Sequence, residues 1–437
     1  MGMFAPPVTD TRFRLTQDQS DRLAAQFGTP LYVVDEAHFR AQLRRYRNAA
    51  IQAWGKSEIS FATKANSTVA LIKIADQEGC FIDVASEGEL RAAMAAGVSP
   101  SQCHLHGNNK TREEIGFAVS VGIGHIVADH FGELDMLKEI GGNSKVVLRL
   151  APGVDPVTHH KISTGQADTK FGFNITDGSA EKATKRCLEL SLNLIGFHCH
   201  VGSQLLDPEA QVSGGELIAQ FALDMHNRHG FSAHYLNVGG GLGIRYTSKD
   251  EPMPVEGYCR MIAESVMKAL DGSGLDVVLG QEPGRSLIGE SGLTLYRVGV
   301  VKTVPAKNIG YRTYVAVDGG LSDNPRPALY SSVYTVERVS PPTRGSLSSF
   351  TVSGKHCETD KLFPNVELAS DIASGDLIQV LCTGAYNSSM ASNYNRYRRP
   401  GTVLVRTDGS FSLIQRPETW DELLSRDLLP DNLAGTL

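Results

Sequence analysis

The chain has 437 residues, 41% of them hydrophobic and 21% charged, which is too long for one ordinary domain and apolar enough for a large core. Lys plus Arg number 42 against 48 Asp plus Glu, a net charge of −6, and no basic tract interleaved with aromatics occurs, so nucleic acid is not an expected partner. Seven cysteines, Cys80, Cys103, Cys187, Cys199, Cys259, Cys357 and Cys382, form no CxxC pair, which disfavours a disulfide framework or a structural zinc site.

The opening Met1-Gly2-Met3-Phe4-Ala5-Pro6-Pro7 has no basic segment followed by an apolar core, and Pro6 spoils a myristoylation motif. No apolar run approaches the about 20 residues of a membrane span. The expected location is the cytoplasm.

Eight short apolar runs read as strands: Ile59–Thr63, Phe81–Ala85, His104–Gly107, His125–Ala128, Val146–Leu150, Leu194–Val201, Tyr235–Val238 and Val277–Gln281. Seven segments between and after them have helical composition: Val69–Glu78, Glu87–Ala96, Thr111–Val119, Phe131–Glu139, Ser179–Leu190, Gly214–His229 and Val255–Leu270. Continuous apolar strands alternating with amphipathic helices indicate parallel βαβ units, and eight of them indicate a closed (β/α)8 TIM barrel. A doubly wound open sheet is the alternative, because periodicity does not reveal closure.

From Gly292 the pattern changes to strands and turns, at Thr294–Val304, Tyr311–Val317, Phe350–Val352, Leu377–Val380, Gly401–Arg406 and Ser410–Gln415. This predicts a second, mostly β, β-barrel-like domain. Residues 1–30 do not fit the barrel repeat. The expected division is a barrel over 31–288 and a β domain from 1–30 plus 289–437.

Chemistry in such a barrel sits at the C-terminal strand ends. Lys64, in Phe61-Ala62-Thr63-Lys64-Ala65-Asn66, follows the first strand. A lone lysine is ordinarily a surface residue, but one partly desolvated at a barrel mouth has a lowered pKa and can form a Schiff base. His198-Cys199-His200 places two imidazoles on one face of the sixth strand. No third ligand lies at a fitting spacing, so no metal site is expected. Asn237-Val238-Gly239-Gly240-Gly241-Leu242-Gly243 ends the seventh strand with glycines whose N–H groups can approach a phosphate, without the spacing of a Walker or dinucleotide loop. Gln281-Glu282-Pro283-Gly284-Arg285 ends the eighth. A structural Glu–Arg pair is the bland reading of it, and an anion site at the Gly284-Arg285 turn the functional one. In the second domain, Gly354-Lys355-His356-Cys357-Glu358 sets a cysteine beside a carboxylate, and Cys382-Thr383-Gly384-Ala385-Tyr386 adds a tyrosine. A buried, inert cysteine is the usual case.

Taken together these motifs resemble the fold type III, TIM-barrel decarboxylases that use pyridoxal 5′-phosphate (PLP), and within them the diaminopimelate decarboxylase family. The resemblance runs from about Thr29 to Val405, through FATKAN, DVASEGEL, STGQADTKFG, HCHVGSQ, NVGGGLG, EPGR, DGGLSDNPRPALY, GKHCE and GAYNSSMASNYN in that order. It implies PLP as cofactor, with Lys64 as the Schiff-base lysine, His200 stacked on the ring, Asp83 near it and Glu282 on the ring nitrogen. Ser203, Gly240, Gly241, Pro283, Gly284, Arg285 and Tyr386 would surround the phosphate. Cys357 would return a proton after CO2 leaves. Arg285, Arg326, Tyr330 and Tyr386 would face the far end of the substrate, and Glu358 its far ammonium.

The implied reaction is decarboxylation of meso-2,6-diaminopimelate to L-lysine, the last step of lysine biosynthesis, in a homodimer whose active sites are shared across the interface. A far carboxylate needs a cation such as Arg326, which ornithine or lysine would leave without a partner. One stretch departs from the family pattern, which commonly continues Cys-Glu-Ser-Gly-Asp where this chain reads Cys357-Glu358-Thr359-Asp360-Lys361. The missing glycine bears on the loop's conformation and on substrate choice. A related decarboxylase acting on another basic amino acid or a carboxynorspermidine-like substrate is therefore the alternative. An alanine-racemase-like enzyme would set an arginine on the ring nitrogen, against Glu282. A non-catalytic PLP carrier would lack the second domain. A metal-dependent hydrolase would need more ligands at the strand ends.

Overall fold

The computed structural model describes residues 10–154, 168–340, 346–359, 361–431 and 433. Residues 163–167 of the STGQADTKFG motif, Asp360, and residues 1–9 of the expected N-terminal segment lie outside them. The chain divides into two compact units. The first comprises residues up to Arg12, Glu36–Ser291 and Gly384–Ser389, and the second Phe13–Asp35, Gly292–Thr383 and Met390 onward.

The first unit is a closed barrel. Its strands are Ser57–Ala62, Phe81–Val84, Cys103–Leu105, His125–Ala128, Lys145–Ala151, Asn193–Cys199, Tyr235–Asn237 and Val278–Gln281. Every neighbouring pair is parallel. Pairing of the first strand with the eighth, and of the fourth with the fifth, completes the ring, so the open-sheet alternative falls. The strands are readable because a parallel barrel buries both of their faces: every residue of His125–Ala128 and Tyr235–Asn237 is buried. The helices begin at legible caps. Ser86 accepts from the N–H of Glu89, and Thr111 and Glu114 form a capping box.

The helix expected from Gly214 starts at Glu209 and runs to His229. Gly214 and Gly215 lie inside it rather than at its start: a Cβ on Gly214 would come within 2.9 Å of Val201. The glycines let this helix approach the barrel wall closely. An 18-residue helix, Glu36–Ala53, precedes the first barrel strand and buries Phe39, Leu43, Tyr46, Ala49 and Ala50 along one stripe. Its many arginines and polar residues masked that stripe in the sequence reading.

The second unit is mostly β, a branched nine-stranded sheet. Its spine is the 15-residue strand Gly292–Ala306. Leu31–Asp35 lies antiparallel to that spine and parallel to Gly401–Val405. The helix Gln17–Phe27 belongs to this unit, where Arg22 covers the Phe411 ring and Arg14 pairs with Glu337. Among the described residues no helix is long and apolar enough to cross a membrane.

Candidate active site

The first strand ends in a short turn, Thr63–Ala65, that carries Lys64. The Thr63 hydroxyl contacts the Asp83 carbonyl and the Glu89 carboxylate, each at 2.9 Å, and so ties the turn to the neighbouring strand end. Lys64 is exposed rather than partly desolvated, although Thr63 and Ala65 on either side of it are buried. Its charge still acts on Asp83 and His200. Asp83 is pushed up to about 7, by burial first and by Glu282, against the opposing pull of His106 and Lys64.

Glu282, just past the eighth strand, is buried and held by three side chains from other strand ends. His106 Nε2 lies 3.0 Å and Asn237 Nδ2 2.7 Å from its Oε1, and His198 Nε2 lies 2.9 Å from its Oε2. Burial alone would protonate such a carboxyl. The two imidazoles overcome that and hold it well below the usual carboxylate range. His106, between Asp83 and Glu282, is raised against its own burial, whereas burial lowers His198 to about 4. Glu282 is therefore an anion beside a neutral His198, with His106 shifted toward its charged form.

His198 and His200, expected as neighbours on one face, have different partners. His200 Nδ1 accepts from the Gly240 N–H at 3.3 Å, and burial with the nearby Lys64 charge keeps its imidazole neutral. The metal-compatible cluster among the described residues is His106, His198 and Glu282, within 4.8 Å of one another. His106 is the third member that local spacing did not reveal.

The glycine loop approaches both of its neighbours. A Cβ on Gly240 would run into the Glu282 carbonyl oxygen, and Gly241, at φ 134°, has no room beside the Gly202 carbonyl. The Glu282-Pro283-Gly284-Arg285 turn packs on the Lys64 turn: Ala62 N–H donates to the Pro283 carbonyl at 3.2 Å, and a Cβ on Gly284 would meet Ala65 at 3.0 Å. Arg285 is buried. It donates to Ser203 Oγ at 3.1 Å and to the Tyr246 hydroxyl, and its guanidinium carbon lies 4.7 Å from the Tyr386 ring centroid. Its Nε is buried without a hydrogen-bond partner. Tyr386 reaches the same place because its N–H donates to the Ala65 carbonyl at 2.8 Å.

Lys64, Asp83, His200, Ser203, Gly240, Gly241, Glu282, Pro283, Gly284, Arg285 and Tyr386 thus belong to one unit, gathered on the strand-end loops and the segment that returns to them. Their chemistry fits a phosphorylated pyridine: a cradle no side chain could fill, a buried guanidinium with an unused donor, a primary amine and a buried anion. Three residues of this arrangement, His106, Asn237 and Tyr246, were not singled out as site residues from the sequence. His106 follows its strand just as Lys64 follows the first, but His104 on the same face offered an equal candidate.

The remaining candidates lie in the second unit. Arg326 is buried at the start of a short helix, its guanidinium 5.1 Å from the Tyr330 ring centroid. Cys357 is the exposed one of the seven free cysteines, and burial pushes the thiols of Cys80, Cys103, Cys187, Cys199 and Cys259 up to about 12. The Cys357 N–H donates to Asn395 Oδ1 at 3.3 Å, and Glu358 accepts from the Tyr394 hydroxyl.

A closed parallel barrel with a lysine on its first strand end and a buried anion after its eighth defines a class of protein. The family model for the pyridoxal binding domain of the pyridoxal-dependent decarboxylases matches residues 36–289. The diaminopimelate decarboxylase of Bacillus subtilis is 42% identical over 413 residues, 93% of either chain, and that of Staphylococcus aureus 39% over 398 residues. The crystal structure of the M. jannaschii diaminopimelate decarboxylase in complex with L-lysine matches with a TM-score of 0.88 at 32% identity, covering 97% of this chain and 98% of that one. The chain belongs to the diaminopimelate decarboxylase family of pyridoxal-dependent decarboxylases.

Proposed function

We infer that the chain is a PLP-dependent carboxy-lyase that converts meso-2,6-diaminopimelate to L-lysine and CO2. The observation that carries this reading is 42% identity sustained across 93% of both chains with the Bacillus subtilis enzyme. We assign the barrel unit to cofactor binding and take the enzyme to be a cytoplasmic homodimer, with no nucleic acid or membrane partner. Bound PLP supplies an electron sink for the pair released when a carboxylate leaves the α-carbon.

The chain's own residues divide the remaining tasks. Lys64 presents the amine that carries the cofactor. Glu282, an anion held by Asn237, His198 and the adjacent His106, keeps the ring nitrogen protonated. His200, neutral and half-buried, offers its flat face to the ring. Ser203, the Gly240-Gly241 backbone, the Gly284-Arg285 turn and Tyr386 receive the phosphate. Cys357, exposed at the surface of its own unit, completes the barrel mouth of a second copy and delivers a proton from Sγ to the substrate carbon. Glu358 meets the far ammonium, and Arg326 with Tyr330 the far carboxylate.

The deciding experiment is CO2 release from meso-diaminopimelate measured beside lysine, ornithine and arginine. Turnover of diaminopimelate alone is expected, and preference for a substrate without a second carboxylate would overturn the assignment. The purified protein should be yellow, and borohydride should fix the cofactor to the peptide containing Lys64; fixation elsewhere removes Lys64 from its role. Arg326→Ala should lower kcat/KM for diaminopimelate by about ten- to a hundred-fold, the value of one charge-assisted hydrogen bond. An equal loss for substrates lacking the far carboxylate would show that Arg326 does not read that group.

A further inference from the structure

Behind Glu282 the barrel interior holds a line of polar side chains that cofactor binding does not require. Asn237 uses both hydrogens of its amide, one to Glu282 Oε1 at 2.7 Å and one to the Tyr235 hydroxyl at 2.9 Å. Tyr235 stands two residues earlier on the same strand and therefore on the same face. Its hydroxyl donates to Glu58 Oε1 at 2.8 Å, near the start of the first strand. The amide of Asn237 cannot turn over freely, because its Oδ1 accepts from the Gly239 N–H at 2.8 Å, the first glycine of the loop beside Glu282.

The neighbouring strand makes room for this line. Gly280 pairs with Glu58 on one side and Asn237 on the other. A Cβ there would come within 2.5 Å of the Tyr235 hydroxyl and 2.9 Å of Asn237 Nδ2. Glycine in a strand interior costs stability, so its presence marks a close approach. Tyr235 and Asn237 are buried and Glu58 mostly so. The titratable groups facing Glu58 are Tyr235, His104, whose Nε2 is 3.4 Å away, and the charges of Lys145 and Glu282. His104 stacks on His125 at 3.7 Å between ring centroids, and burial keeps both rings neutral.

We propose that Glu58, Tyr235 and Asn237 form a positioning relay that aims an amide N–H at Glu282 and so holds the proton on the cofactor's ring nitrogen. This rests on the reading that Glu282 meets that nitrogen. A donor hydrogen-bonded to a carboxylate stabilises its anion. Without an aligned Asn237, Glu282 becomes more basic and competes with the ring for the proton. Tyr235→Phe removes the acceptor of the second amide hydrogen and leaves a buried donor unsatisfied, which draws the amide off its line to Glu282 against the remaining hold of the Gly239 N–H.

The test uses holoenzyme reconstituted with PLP carrying 15N in the ring, whose nitrogen chemical shift reports protonation directly. Wild type should show the protonated position and Glu282→Gln the unprotonated one. Tyr235→Phe should lie between them, with kcat lowered about five- to a hundred-fold, the cost of one unsatisfied buried group, and KM little changed. Glu58→Ala should displace the signal in the same direction, and Glu58→Gln, which restores an acceptor for the Tyr235 hydroxyl, should return it. If Tyr235→Phe fails to fold, the Glu58 pair decides alone. A signal that moves in Glu282→Gln but stays put in Tyr235→Phe and Glu58→Ala overturns the relay and leaves the role of Glu282 standing. A signal unmoved in Glu282→Gln overturns both.

Discussion

Cys357→Ala should lower kcat by about 10²- to 10⁴-fold, the range supplied by a positioned proton donor, and the lost activity should return when the variant is mixed with a second inactive chain. The argument starts from exposure. Six of the seven cysteines are buried and Cys357 is not, so its thiol is free to exchange a proton with a substrate. The proposed homodimer is twofold, which makes any residue one chain lends to the other reciprocal. Lys64→Ala and Cys357→Ala chains should each be nearly inactive. Unfolded and refolded together in equal amounts, about half of the dimers are mixed, and each mixed dimer has one site with both defects and one with neither, so about a quarter of all sites are intact by symmetry. Recovery near that fraction is the expected result. Mixed dimers seen by mass spectrometry without recovered activity would place Cys357 in its own chain's site or outside catalysis.

Glu282→Gln should lower kcat by about 10²- to 10³-fold, the cost of losing one preorganised electrostatic partner of the reacting centre. The substitution keeps the size of the side chain and its place after the eighth strand. It removes the anion that His106, His198 and Asn237 hold from three sides. KM should change far less than kcat, because the phosphate and substrate contacts assigned to other residues remain. A loss confined to KM, or cofactor that no longer binds, would give Glu282 a binding role instead.

The barrel was legible because strands buried along most of both faces leave short, mainly apolar runs in the sequence, as at Val146–Leu150 and Val277–Gln281. The strands Leu31–Asp35, Val336–Arg338 and Phe363–Ala369 left weaker traces. The first stands apart from its partners in sequence, the second is three residues long, and the third has exposed positions along it. At the site, Lys64 and Glu282 announced themselves by standing at strand ends inside short recognisable motifs. His106 did not: His104-Leu105-His106 offers two histidines on one face, and local pattern cannot tell the one stacked in the interior from the one that meets Glu282. Tyr246 and Asn237 act through partners far along the chain or through an amide's orientation, and neither leaves a periodic signal.

The hydrogen bond from Asn66 Nδ2 to the Gly384 carbonyl joins residues 318 apart along the chain. It belongs to the same return segment that brings Tyr386 to Ala65 and Arg285. Contacts between residues so distant in sequence are slow to form. A ribosome releases all eight barrel strands and Lys64 long before it releases this segment. A nascent chain stopped at Ser291 would therefore carry the whole ring and its lysine while still missing the tyrosine beside Arg285.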